Sequence, residues 1–132
     1  MTTPAGGRPA ALMDALAIVV FVSIGIATHD AGFTLHEIST TAIPFLGAWF
    51  ALAWALRLYR RPRWSALVVT WLLAIPAGAV LRSALRGGPW DDRLLVFAMV
   101  ALAFSGLFVV VGRLVLALLE RVRQPSPSAR GG

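Results

Sequence analysis

Four apolar runs separated by short, arginine-bearing connectors constrain this chain more than any other feature. They occupy residues 10–28, 42–58, 64–81 and 94–119, each interrupted by at most one ionisable side chain. A helix needs about 20 residues to cross roughly 30 Å of hydrocarbon, so every run suffices, the second only narrowly. The expected fold is therefore all-α: a four-helix transmembrane bundle with short connectors. Helices are predicted over 10–28, 42–60, 64–86 and 93–121, within one domain over 10–123. The leader 1–9 and the tail 124–132 are small, polar and rich in Pro or Gly, and are expected to be disordered. The first run is long for the apolar core of a signal peptide and lacks a clean small-residue cleavage site, so it reads as a retained helix.

Composition agrees. Hydrophobic residues make up 58% of the 132-residue chain and charged residues only 14%, against about a quarter charged in soluble domains. The mean hydropathy is +0.79. A net charge of +6 raises nucleic acid as a partner, but the basic residues flank apolar runs and form no face of their own. Topogenic arginines with some attraction for anionic lipid account for the charge better, so no nucleic-acid partner is expected. Cysteine is absent, which removes disulfides and thiol chemistry. With two histidines besides, no structural zinc and no other metal or cofactor is expected.

All basic side chains are arginines, and their placement orients the bundle. Arg57, Arg60, Arg61 and Arg63 crowd the connector between the second and third runs. Placing that connector inside also puts Arg8, Arg121, Arg123 and Arg130 inside, eight in all, against Arg82, Arg86 and Arg93 outside. The positive-inside rule then predicts both termini on the cytoplasmic side of the cell membrane. Trp54, Tyr59 and Trp64 bracket the inner connector at headgroup depth, Trp90 belongs to the outer interface, and Trp49 and Trp71 lie deeper as packing residues. Thr40 or Thr41 is expected to cap the second helix, with Pro44 in its first turn. Small residues recur every four positions at Gly47, Ala51 and Ala55, at Ala74 and Gly78, and at Ala101 and Ser105. Such stripes favour close helix packing, within one bundle or against a second copy, and four short helices make a thin bundle that favours a homo-oligomer.

Ionisable residues inside the runs carry the most information, because an unpaired charge in lipid costs at least about 2.5–3.5 kcal/mol. Asp14 lies about 6 Å inside the inner end of the first helix and Arg113 about 9 Å inside that of the fourth, from a 1.5 Å rise per residue. Similar depth invites an Asp14–Arg113 bridge; the competing reading is that Arg113 snorkels to the headgroups and Asp14 rests at the interface. A second, outer cluster gathers His29, Asp30, Arg82 and Arg86, with Thr40 and Thr41 near by. It could bind an anionic headgroup, relay protons, or simply cap helix ends in water. Catalytic signatures are missing: no nucleophile elbow, zinc-protease helix, phosphate loop or paired intramembrane carboxylates occur. No catalytic residues are therefore assigned.

Several ordered landmarks resemble a known family. They are Asp14, Phe21, Ile24, Gly25 and His29; Thr41, Pro44, Phe45 and Gly47; Trp71, Gly78, Leu81 and Arg82; and the Gly112-Arg113 pair. This pattern resembles DUF3054, small prokaryotic integral membrane proteins without an assigned activity, over roughly residues 12–115. Two places depart from it: Gly112 precedes Arg113 directly where the family often inserts Trp, and the loop after Arg82 carries Gly-Gly-Pro-Trp where the family often has Gly-Thr. The expected function is a non-enzymatic accessory or oligomeric bundle that binds anionic lipid or a membrane partner. The alternative is a small oligomeric transporter or proton-coupled channel lined by Asp14, His29 and Arg82, with a headgroup-modifying membrane enzyme third.

Overall fold

The apolar runs fold as helices because each carries a buried stripe at three- to four-residue spacing. In the computed structural model, which describes residues 6–28, 32–88 and 90–124, these are α1 (Gly7–Thr28), α2 (Leu35–Ala55), α3 (Trp64–Arg86) and α4 (Asp92–Arg123). Among the described residues there is no strand. All four helices are long and apolar enough to cross a membrane. They form an antiparallel ring in which α1 touches α2 and α4, and α3 touches the same two. One end, the connector end, holds the start of α1, the α2–α3 connector and the end of α4. There the Gly7 amide donates to the Tyr59 carbonyl at 3.0 Å. The other end joins the start of α2 to the end of α3.

The inward stripe of α1 is Ala10, Asp14, Ala17, Ile18, Val22 and Ile26, and that of α4 includes Ala101, Ser105, Val109, Gly112, Arg113 and Leu116. Asp14 and Arg113 thus occupy core positions on their own helices. On α3 the stripe Ala66, Thr70, Ala74, Gly78 reaches Arg82 one turn later, so Arg82 points toward the bundle at its open end and is half-buried.

Helix bounds differ from expectation. α1 starts at Gly7, inside the expected leader, and α4 runs from Asp92 to Arg123. α2 begins at Leu35, seven positions before the expected 42, and ends at Ala55 rather than 60. Its N-cap is Thr34, whose hydroxyl accepts from the Glu37 amide at 3.2 Å; neither Thr40 nor Thr41 caps it. Thr34-Leu35-His36-Glu37 carries the Ser/Thr-x-x-Glu pattern of a capping box, so an interfacial turn precedes the apolar run. Pro44 consequently sits inside α2, not in its first turn. The helix ends early because Arg57 adopts a left-handed φ of 54°, a conformation that stops helices. The tail 125–132 and residues 1–5 lie outside the described residues.

Two of the three small-residue stripes face inward. A Cβ on Gly78 would come within 2.6 Å of Phe45 Cδ1 and 3.0 Å of Phe45 Cα, so α2 and α3 approach at a point only glycine allows. Ala74, Ala101 and Ser105 are likewise buried. The Trp71 Nε1–H donates to the Leu102 carbonyl at 3.1 Å and to Ser105 Oγ at 3.2 Å, joining α3 to α4. Gly47, Ala51 and Ala55 instead face away from the bundle.

Candidate functional site

At the connector end the structure brings Asp14 and Arg113 together. Arg113 Nε donates to Asp14 Oδ1 at 3.0 Å and Nη2 donates to Oδ2 at 2.7 Å, a two-pronged geometry. The side chains are 4% and 1% exposed, so Arg113 does not snorkel to a surface. Tyr59 adds a third donor to the same carboxylate, O–H to Oδ2 at 2.7 Å, and Trp49 Nε1–H donates to the Tyr59 oxygen at 2.9 Å. Hydrogen bonds run from Trp49 to Tyr59 to the Asp14 carboxylate, which also accepts from Arg113, tying α1, α2, the connector and α4 into one polar knot.

Burying two charges is expensive, and the cost is offset only when geometry is good and the remaining lone pairs are satisfied. Both conditions hold, and no buried side-chain N or O among the described residues lacks a partner. The Tyr59 phenol is pushed above its ordinary range, chiefly by burial and then by the adjacent Asp14 charge. It therefore stays a donor. Sequence depth alone makes Tyr59 an interfacial and Trp49 a packing aromatic; a depth rule does not say which way a ring points.

The opposite end holds the described members of the second cluster. Arg82 Nε donates to Thr41 Oγ1 at 3.4 Å, and its guanidinium sits 5.1 Å from the Phe97 ring centroid. Arg86, one turn on and exposed, pairs with Glu37 and donates to Thr40 Oγ1 at 3.0 Å. Glu37, expected in a loop, is in the first turn of α2. His29 and Asp30 lie outside the described residues. Arg82 and Arg86 share a face, as their spacing requires, but the close ion pair of Glu37 is with Arg86, and among the described residues Arg82 forms none.

Below Arg82 an apolar cavity of about 200 Å³ runs between α1, α2 and α4, walled by Phe21, Phe45, Phe97 and Phe108, with Arg82, Glu37, Thr28 and Thr41 supplying its polar lining. Neither Asp14, Tyr59 nor Arg113 lines it. The two polar sites thus stand at opposite ends of the bundle with a packed apolar middle between them, including Phe45 and Ile18, both fully buried.

Comparisons with curated proteins and with solved structures gave no match. A family described as a protein of unknown function, DUF3054, matches residues 11–116. That span is most of the chain and contains every residue of both polar sites, from Asp14 to Arg113. The buried pair that closes α1 on α4, with the arginine-tipped cavity at the far end, is built wholly from the matched span, and the chain belongs to the DUF3054 family.

Proposed function

We propose that this protein is a non-enzymatic integral bundle of the cell membrane, with both termini on the cytoplasmic side, that holds an anionic lipid headgroup at Arg82. One observation carries the reading: among the described residues Glu37 pairs with Arg86, while Arg82 is held by the Thr41 hydroxyl and the Phe97 ring. That leaves a partly exposed guanidinium at the helix end, at the depth of headgroups. A cation so placed attracts phosphate more strongly than one in bulk water, because the local dielectric is low. The eight arginines at the connector end favour placing that end inside, which sets Arg82 in the outer leaflet.

The transport alternative needs a path joining Arg82 to Asp14. The cavity reaching Arg82 stops short of the Asp14 network, and the Asp14 carboxylate is already engaged by Arg113 and Tyr59. The geometry therefore favours binding. Native mass spectrometry of the detergent-extracted protein tests it: Arg82→Ala should lose bound phosphatidylglycerol and keep its weak binding of phosphatidylcholine. Equal retention of phosphatidylglycerol by both proteins would overturn the reading.

A further inference from the structure

The cavity beneath Arg82 has a shape and a lining that a headgroup site alone does not require. Its walls are aromatic, from Phe21 on α1, Phe45 on α2 and Phe97 on α4, and the guanidinium lies over the Phe97 ring at the cavity's polar end. Its lining also includes Ile24, Val100 and Phe104, which are 45%, 50% and 52% exposed on the outer surfaces of α1 and α4. The cavity therefore opens sideways, through the α1–α4 seam, into the hydrocarbon. Gly25 forms part of the wall, and a Cβ built there meets nothing within 4 Å.

We propose that this cavity takes the glycerol-proximal segment of one acyl chain of an anionic lipid, which enters between α1 and α4 while its headgroup rests on Arg82. The inference rests on the Arg82 headgroup reading and adds the place of the chain. Charge complementarity selects the occupant: the Glu37 carboxylate in the lining is paired with Arg86, so the apolar slot open to lipid ends in the Arg82 cation and matches an acyl chain ending in an anion. Volume limits how much enters. At about 30 Å³ for a group the size of a water molecule, some 200 Å³ holds about six or seven such groups, a chain segment and not a whole lipid. Within a bilayer the chain gains nothing by leaving water, since lipid is as apolar as the cavity. Dispersion contacts with ring faces that would otherwise line a void supply the attraction, and the Arg82 charge supplies the selectivity.

The test uses the full chain in phosphatidylglycerol-containing nanodiscs, with a phosphatidylglycerol bearing a photoreactive diazirine near the carbonyl end of one acyl chain. Two variants accompany it, Arg82→Gln and Gly25→Leu; the second adds bulk to the cavity wall at a position where a Cβ meets nothing within 4 Å. Cross-links to cavity residues such as Phe21, Phe45 or Phe97, reduced at least about tenfold by Gly25→Leu while native mass spectrometry still finds phosphatidylglycerol preferred over phosphatidylcholine, are the expected result. If labelling falls only on outward residues such as Leu16 or Leu107 and Arg82→Gln still abolishes the headgroup preference, the chain site is overturned and the Arg82 reading stands. Should Arg82→Gln leave the preference intact, both fall. Ala101→Phe, which fills the cavity from α4, guards against a folding defect peculiar to Gly25→Leu.

Discussion

Arg113 and Asp14, 99 positions apart in sequence, close α4 onto α1 through two parallel hydrogen bonds of 3.0 and 2.7 Å inside the protein. Removing one partner strands the other charge in an apolar core, which typically costs about 3–5 kcal/mol. Arg113→Leu and Asp14→Leu should each lose stability on that scale in reversible unfolding from mixed micelles. The double variant Asp14→Leu/Arg113→Met should be more stable than either single variant, because an apolar pair leaves no unpaired charge. A charge-swapped pair, Asp14→Arg/Arg113→Asp, should recover only part of the loss, since the Tyr59 donor would then face a cation. Additive losses in the double variants would show that the two residues act independently.

Tyr59 is the hinge of the same network. Tyr59→Phe leaves the ring in place but takes a donor from Asp14 and an acceptor from the Trp49 indole. Two buried groups lose partners, each worth about 1–3 kcal/mol. Trp49→Phe removes only the outer link and the indole's extra volume, and keeps the Tyr59 bond to Asp14. Measured by unfolding, Tyr59→Phe should weaken the Asp14–Arg113 coupling in a double-mutant cycle. Trp49→Phe should leave that coupling nearly intact.

How much of this was legible beforehand depends on what kind of signal each residue carries. Asp14 and Arg113 announce themselves because a charge in an apolar run has few outcomes, and their matched depth leaves two, a bridge or snorkelling to the interface, between which only the structure chooses. Tyr59 gives no such signal: a tyrosine beside arginines fits the membrane interface equally well, and only the left-handed turn at Arg57 and the close approach of Gly7 swing it inward. The start of α2 was hidden because His36 and Glu37 end the apolar run without ending the helix. A capping box was written there, but hydropathy does not read it. Small-residue spacing predicted that helices approach closely, yet not which face does so: Gly78 meets Phe45, whereas Gly47 meets nothing within 4 Å.

That contrast between the two glycines is itself testable. Gly78→Ala forces Phe45 or the helix backbone to move, an overpacking cost of about 1–3 kcal/mol. Gly47→Ala adds a methyl to an outward face and removes a flexible residue from a helix interior, a gain of up to about 1 kcal/mol. Thermal unfolding in one detergent should separate the two variants, with Gly78→Ala below the parent and Gly47→Ala at or above it. The reverse order would place the α2–α3 contact elsewhere.

Alkaline pH offers an unusually clean probe of the polar knot. The chain has one tyrosine and no cysteine, and all twelve of its Lys and Arg residues are arginine. Above about pH 9 the only side chain left to titrate is therefore Tyr59. Its phenol is raised in the folded protein by burial first and by Asp14 second. The folded state then keeps a proton that the unfolded state releases near pH 10. By linkage its stabilising contribution is complete below pH 10 and declines as pH rises beyond it. Stability measured from pH 9 to 11.5 should be flat and then fall, with no phenolate absorbance from the folded protein at pH 10.5. In Tyr59→Phe the decline should vanish. A decline that persists in that variant would assign it to another group.

The proposed orientation rests on the same arginines and has a direct readout, because the chain lacks cysteine and any introduced thiol is unique. His36 and Gln124 are both exposed, His36 at the start of α2 and Gln124 just past α4, so they report opposite ends of the bundle. Neither replacement alters the arginine count that biases insertion. In intact cells, a membrane-impermeant maleimide should label His36→Cys and spare Gln124→Cys, with both labelled after the membrane is permeabilised. The opposite pattern would put eight arginines outside against three inside, and would move Arg82 and its cavity to the cytoplasmic leaflet. Labelling of both before permeabilisation would mean mixed insertion. The expected pattern sets Arg82 among outer-leaflet headgroups.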